Sequence, residues 1–520
     1  MATSKFVPVG KLLLGKLDAY SECLEYGPET YQTLFYACPS FHVEKFLNGK
    51  AYFIHGDKGV GKTALLKHLE IIAINEASLV DYIRFKKDVD EEERNALKRA
   101  SIPNNSFEEV VEKNIPDDAG INCIYAWQVY MIKCIVNLAN ASECAFFEDN
   151  ESWRKLNQLI KSAYNGRGSV AKSIIPKVKR GSVKLDVIDG VALDIDFEWD
   201  NPQEKTVSFS TYAKKVIELF GNLRKNPDAS KMYLLFDELE LVHFHKKSYM
   251  RDVTLIRDLI QAIYYINEIS KTSGFDIFSI ACFRNEVYRN IAAVGYEINK
   301  IVQDYGVEIS WLQSGGSIVD NPLIKMLVNR LLKSQEGENQ EVSEADIWKA
   351  YFDEYVNINY NNQTAMNYIV DQTWCKPRDI IRLFNLIQKK YEYETRINTM
   401  AFESVRKSYS HDSWEEFSNE LSAKYTPLEI DGIKQVLIGI NVSFSIGQFS
   451  ERIEEKKIYF ESVRKLSEKY TAVEILSDIY RVGIIGTDGK WKRFYFKGDI
   501  DFDTTSNAII HYPLRRFFST

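Results

Sequence analysis

One eight-residue stretch, Gly56-Asp57-Lys58-Gly59-Val60-Gly61-Lys62-Thr63, limits what this chain can fold into more than any other. An apolar run, Ala51-Tyr52-Phe53-Ile54-His55, leads into it, and an apolar-periodic segment, Ala64 to Ile72, follows it. Strand, glycine loop and helix in that order are the context of a phosphate-binding loop. Glycines let the backbone curl until successive N–H groups point at one anion. A helix beginning near Lys62 adds the positive end of its dipole. Lys62 is then expected to bridge the β- and γ-phosphates of ATP, and Thr63 to place its hydroxyl on Mg²⁺. The ATP-binding set is Gly56, Asp57, Lys58, Gly59, Val60, Gly61, Lys62, Thr63 and Ala64. A glycine-rich turn that matches by chance is the alternative, and the full pattern in its strand–helix frame argues against it.

The second informative stretch is Met232-Tyr233-Leu234-Leu235-Phe236-Asp237-Glu238. A continuous apolar run suits a strand buried on both faces of a parallel sheet. It ends in two carboxylates, where such strands present ligands. Asp237 is expected to hold Mg²⁺ directly or through water, and Glu238 to act as general base on the attacking water. Glu240 is the rival base, and a helix cap or a surface acid pair is the rival reading. Phe275 to Phe283 is another buried strand, ending at Arg284-Asn285-Glu286. Arg284 or Asn285 is expected to touch the γ-phosphate or the attacking water. Capping of the following helix by Asn285 competes. Leu79 to Phe85 and Val307 to Trp311 complete the strands, and Asp252 to Ser270 and Ile124 to Leu138 read as helices. Strands alternating with helices predict a three-layer α/β parallel sheet.

Composition bounds the rest. A chain of 520 residues with 45% hydrophobic and 27% charged residues fits a multi-domain globular protein. A net charge of -7 argues against bulk nucleic-acid binding and leaves local basic patches open. The seven cysteines form no C-x-x-C pair, which fits free thiols in a reducing cytosol. Met1-Ala2-Thr3-Ser4-Lys5 leads into no long apolar run, so no signal peptide is expected, and no run of about twenty apolar residues suggests a membrane span. The expected compartment is the cytoplasm. His243-x-His245 lacks the spacing of a metal site.

Four domains are expected: residues 1–48 as a lead-in packed on the core, 49–315 as the core, 316–424 as a helical lid, and 425–520. An insert at 162–204 reads as a basic loop (Arg167, Lys172, Lys177, Lys179, Arg180, Lys184) followed by a hairpin at Asp189-Gly190. In the lid, Lys376-Pro377-Arg378-Asp379 opens a helix. Arg378 can reach back to the nucleotide or pair with a neighbouring acid. The last region combines helices at Pro427 to Ile438, Ile446 to Glu455 and Phe460 to Tyr480 with a hairpin around Asp488-Gly489. That is a winged-helix pattern. Lys490, Lys492, Arg493 and Lys497 beside Trp491 make either a nucleic-acid edge or a protein-contact edge.

The chain resembles a bacterial branch of P-loop ATPases related to the AAA+ and STAND groups. The resemblance rests on Gly15 with Asp18-Ala19 and Glu22, on Gly56 to Thr63, and on Asp237-Glu238. It continues through Phe283-Arg284-Asn285-Glu286-Val287, Trp311, Pro377-Arg378-Asp379, Val482 to Gly486 and Ile510-His511-Tyr512-Pro513. Glu238 stands where STAND-like members often carry aspartate, and glutamate suits real turnover. The resemblance implies an ASCE/AAA+-like core in which the strand ending at Arg284 lies between the loop strand and the Asp-Glu strand, with Arg378 as a second sensor. It also implies an oligomer, with Arg251 and Arg257 as candidates for reaching a neighbour's nucleotide, and anti-phage defence or DNA maintenance alongside an effector such as a nuclease encoded nearby. An initiator-like DNA-binding protein and a non-hydrolysing scaffold are the competing functions.

Overall fold

The computed structural model describes residues 6–100, 123–164, 173–176, 178–179, 182–186, 199–201, 203, 205–239, 246–292, 298–312, 315–335, 342–358 and 361–518. The chain divides into two compact units. A sheet unit holds residues 39–58 and 62–309, and a helical unit holds 1–38, 59–61 and 310–520.

The strands of the sheet unit are β1 (Phe53–Gly56), β2 (Leu79–Arg84), β3 (Val178–Lys179), β4 (Ser182–Lys184), β5 (Thr206–Ser208), β6 (Met232–Leu239), β7 (Ile277–Arg284) and β8 (Gly306–Glu308). Five of them form one sheet in the order β2-β6-β7-β1-β8. Every neighbouring pair is parallel. Side chains alternate across the sheet as the pleat requires. Met232, Leu234 and Phe236 join one core with the helices Ile124–Ala141 and Lys246–Ser273, whereas Tyr233 and Leu235 fall outside that cluster. The helix Lys62–Asn75 also packs on the sheet, and its buried Leu65, Leu66 and Leu69 lie outside that cluster as well. Helices thus cover both faces, which explains why β6 and β7 read as unbroken apolar runs rather than alternating ones. The strand ending at Arg284 lies between the loop strand and the Asp-Glu strand, as expected.

A small antiparallel sheet is built in and beside the insert. β4 pairs antiparallel with β3 and with β5, which begins at Thr206. The turn at Asp189-Gly190 lies outside the described residues, as do Arg167, Lys172, Lys177 and Arg180, the rival base Glu240, and His243 and His245.

In the helical unit the lead-in is tied to the C-terminal half. Val9 N–H donates to Glu394 O (2.7 Å) and Gly10 N–H to Glu392 O (2.9 Å). The buried Glu22 carboxylate takes a bond from Arg330 Nη2 at 2.8 Å. Residues 6–38 therefore belong to this unit and not to the sheet unit, contrary to the expected single block 1–48. A desolvated ion pair and backbone bonds set that choice, and neither is visible in local sequence. The region expected to be helical, whose apolar spacing predicts helices at 322–333, 346–356, 364–373 and 379–391, holds helices at Pro322–Lys333, Glu344–Tyr351, Ala365–Asp371 and Pro377–Lys390, and a further long one at Thr399–Leu421. The second of these stops at Tyr351, short of 356, because Tyr355 to Ile358 alternate exposed and buried and form β9 (Tyr355–Ile358), paired with β10 (Asn361–Thr364).

The C-terminal region carries a four-stranded sheet of β11 (Ser443–Phe444), β12 (Ile485–Asp488), β13 (Lys492–Arg493) and β14 (Asn507–Ile510), in the order β11-β14-β12-β13. The expected helix 460–480 is two helices, Glu461–Lys469 and Ala472–Arg481. Thr471 and Glu474 form a capping box between them. One core joins Trp374, Trp414 and Phe417 to Tyr480 and Ile510, so it runs across the expected boundary at 424. Gly483 packs closely against this core. Its φ is +90°, a Cβ there would stand 2.8 Å from Trp374 Cδ1, and its carbonyl accepts from Trp374 Nε1 at 2.7 Å.

Candidate active site

The parallel sheet brings the sequence-predicted residues to one edge. Registers across β1, β2, β6, β7 and β8 set Gly56 beside Arg284, His55 beside Glu308, and Arg84 beside Asp237. All of these stand at carboxyl ends of strands, where open α/β sheets bind ligands.

The glycine loop connects β1 to the helix Lys62–Asn75. Gly56, Gly59 and Gly61 have φ of +156°, +85° and +98°, a region that side chains with a Cβ rarely enter. Lys62 Nζ donates to the carbonyls of Gly56 (3.0 Å) and Asp57 (2.7 Å) within the loop. An ammonium held over a turn of backbone, at the start of a fourteen-residue helix, is a ready anion site. The loop tip, Gly59 to Gly61, groups with the helical unit. There Val60 O accepts from Trp311 Nε1 at 2.8 Å, and a Cβ on Gly59 would lie 3.3 Å from Arg378 Cβ.

Asp237 is buried and accepts four hydrogen bonds. Thr63 Oγ1 (3.3 Å), Cys282 Sγ (2.7 Å) and Glu238 N–H (2.8 Å) reach its Oδ1, and Tyr82 OH (2.6 Å) reaches its Oδ2. The tyrosine and the thiol stay protonated. Burial pushes both well above their ordinary pKa, and the adjacent carboxylate raises them further. Thr63 and Asp237 offer a hydroxyl and a carboxylate, the hard oxygen donors that suit Mg²⁺, which usually takes few protein ligands and fills its shell from phosphate and water. Among the described residues no cluster of three or more His, Cys, Asp or Glu side chains could hold a metal ion.

Glu238 is not the end of its strand. β6 runs on to Leu239, with a register shift between Phe236 and Leu239. Glu238 sits in that bulge with φ +58°, a conformation that costs a non-glycine residue on the order of 1–3 kcal/mol. Its backbone N–H turns onto Asp237, while its side chain is half-buried. Bulges of this kind re-aim a side chain next to a site.

Asn285 does not use its side chain to cap the helix Asn285–Ala292. Nδ2 donates to Asp57 Oδ1 (3.3 Å) and Glu308 Oε1 (3.0 Å), and Oδ1 accepts from His55 Nδ1 (2.9 Å). Arg284 pairs with Glu286 at 3.3 Å. Arg378 Nη1 is ion-paired with Glu416 at 3.2 Å, in company with Arg382. One expectation is corrected. Arg251 and Arg257 do not project outward: both are buried, Arg251 on Glu91 and Asp252, and Arg257 on Asp258 at 2.7 Å.

Lys490, Lys492, Arg493, Lys497 and Trp491 are exposed. The same region carries Asp488, Asp499, Asp501 and Asp503, which offset the four cations.

Sequence reasoning missed Tyr82, Cys282, His55 and Glu308. Tyr82 lies within the predicted strand 79–85, and its distance from a strand end matching Asp237 was the available signal. The other three had none.

Residues 321–418, about a fifth of the chain, match the FunZ-associated C-terminal helical domain. No curated protein matches the chain. Among the described residues no helix is long and apolar enough to cross a membrane.

Proposed function

We propose that this protein is a Mg²⁺-dependent P-loop ATPase that works as a conformational switch or motor in an anti-phage defence or DNA-maintenance system, as a homo-oligomer and with a separate effector such as a nuclease. One observation carries the catalytic half: Thr63 of the loop helix is hydrogen-bonded to Asp237 of β6, with Glu238 beside it and Lys62 at the start of the same helix. The glycine loop with its helix and the Asp237-Glu238 end of β6, two separate stretches of sequence, thus meet at one point, which supports reading them as phosphate cradle, metal-ligand pair and base. The match of residues 321–418 to a FunZ-associated domain supports the defence-related setting.

In this reading Lys62 exchanges the Gly56 and Asp57 carbonyls for phosphate oxygens. Thr63 and Asp237 would hold Mg²⁺, which supplies neutralisation of phosphate charge. Glu238, aimed by the bulge, accepts a proton from the attacking water. The C-terminal region is read as winged-helix-like. Its exposed Trp491 among cations favours, as a second reading, contact with nucleic acid, and the four neighbouring aspartates count against it.

The test is ATP binding and turnover by the full chain. Lys62→Ala should abolish binding. Glu238→Gln should keep binding and lower turnover by about two or more orders of magnitude. Unchanged binding and turnover in Lys62→Ala would remove the basis of the proposal.

A further inference from the structure

Asn285 stands at a junction that its expected role does not explain. Its amide reaches three elements at once: Asp57 of the glycine loop, Glu308 at the end of β8, and His55 on β1. The orientation of the amide is decided by its partners. Ionised carboxylates only accept, so the NH₂ group must face Asp57 and Glu308. The carbonyl oxygen therefore faces His55, and Nδ1 of that ring carries the proton. Both amide hydrogens are then committed to carboxylates. A phosphate oxygen is also an acceptor, so Asn285 can engage one only by releasing Asp57 or Glu308.

Glu308 is the partner placed to be released. Asp57 is part of the loop that would surround the phosphates, whereas Glu308 is exposed and ends the edge strand of the sheet. The chain leaves the sheet unit one residue later, at Ile309, and Ser310 begins the long segment of the helical unit. The Asn285–Glu308 bond thus fastens the phosphate loop's neighbour to the strand through which the chain exits.

We propose that Asn285 is a positioning residue forming a latch between the phosphate loop and β8, and that a terminal phosphate opens it by competing with Glu308 for the amide. The inference rests on the reading of the glycine loop as a nucleoside triphosphate site. Opening releases the Glu308 carboxylate in the triphosphate state and restores its bond to the amide in the diphosphate state, while β8 stays paired with β1 through its backbone.

A double-mutant cycle tests it in the full chain, reading the affinity ratio of a non-hydrolysable ATP analogue to ADP by calorimetry with Mg²⁺. Glu308→Ala removes the competing acceptor and should raise the ratio about fivefold, the scale of one partly exposed hydrogen bond to a charged group. Asn285→Ala should lower it by a similar factor. The double variant should behave as Asn285→Ala alone. This last result separates a latch from simple removal of a negative charge, which would raise the ratio in either background. Glu308 is exposed, so its replacement leaves the fold intact, and Glu308→Gln should give an intermediate ratio. A ratio unchanged in Glu308→Ala, or additive effects in the double variant, would overturn the latch while leaving the ATP site standing. Wild-type protein that binds neither nucleotide would overturn both.

Discussion

Replacing Tyr82 with phenylalanine deletes one hydroxyl and leaves the ring in place. That hydroxyl donates to Asp237 Oδ2 at 2.6 Å, and the other three donors to Asp237 converge on Oδ1. Asp237 is only 3% exposed, so water cannot substitute freely at Oδ2. A hydrogen bond to a charged acceptor contributes about 1.5–3 kcal/mol, and a buried oxygen left without a donor places the loss toward the upper end. Tyr82→Phe should therefore cost about 2–3 kcal/mol. For a unit of this size each kcal/mol moves Tm by roughly 2–4 °C, so the melting of the sheet unit should fall by about 5–10 °C. Urea unfolding and calorimetry measure the two quantities. Asp237→Asn supplies the control. Its Oδ1 keeps three donors and its NH₂ can donate to the tyrosine oxygen, so the local geometry survives without the charge. In that background the same Tyr82→Phe change removes a neutral bond, about 0.5–1.5 kcal/mol. A loss below about 0.5 kcal/mol in the wild-type background, or equal losses in both, would refute the charge-assisted bond and with it the view that Tyr82 orients Asp237.

Other consequences follow from the same geometry. Arg251→Ala strips one of two arginines from the fully buried Asp252 and should destabilise the sheet unit by about 3 kcal/mol, while ATP turnover per folded molecule stays unchanged. Normal stability with lost turnover would instead make Arg251 a catalytic arginine. His511 is buried among the rings of Trp374, Phe494 and Phe496, and desolvation first, then Lys497 and Arg515, holds its pKa well below the ordinary value. The unfolded imidazole takes a proton near pH 6.5 and the folded one does not, so stability is full above about pH 6.5 and falls as the pH drops below it. His68, lowered by burial to about 4, adds a loss of the same sign between those values. His511→Phe should flatten the decline of the helical unit's Tm between pH 7 and 5, and parallel pH profiles for variant and wild type would contradict the buried neutral imidazole.

The glycine loop and the Asp237-Glu238 pair were legible because each is a contiguous string whose chemistry is local. A loop of glycines before an amphipathic helix, or an apolar strand ending in acids, means the same thing wherever the sheet lies. Even the break at Tyr470-Thr471 was readable, since Thr471 and Glu474 are a capping box three residues apart. The bulge that turns Glu238 was not, because it depends on how β6 meets β7. Nor was the fate of the arginines. Arg378, Arg251 and Arg257 look alike in sequence, exposed cations at helix positions, and only Glu416, Glu91, Asp252 and Asp258 decide that all three are held within their own units.

What the chain's order of residues determined alone was the alternation of strands and helices and the two motifs at strand ends, since backbone propensity, glycine freedom and apolar periodicity act over a few residues. What tertiary structure decided was partnership. Tyr82 meets Asp237 across 155 positions, and Asn285 meets Asp57 across 228 and His55 across 230. Those pairings exist because parallel strands carry the ends of distant segments to one edge, where burial makes each missing hydrogen bond costly enough to fix its partner.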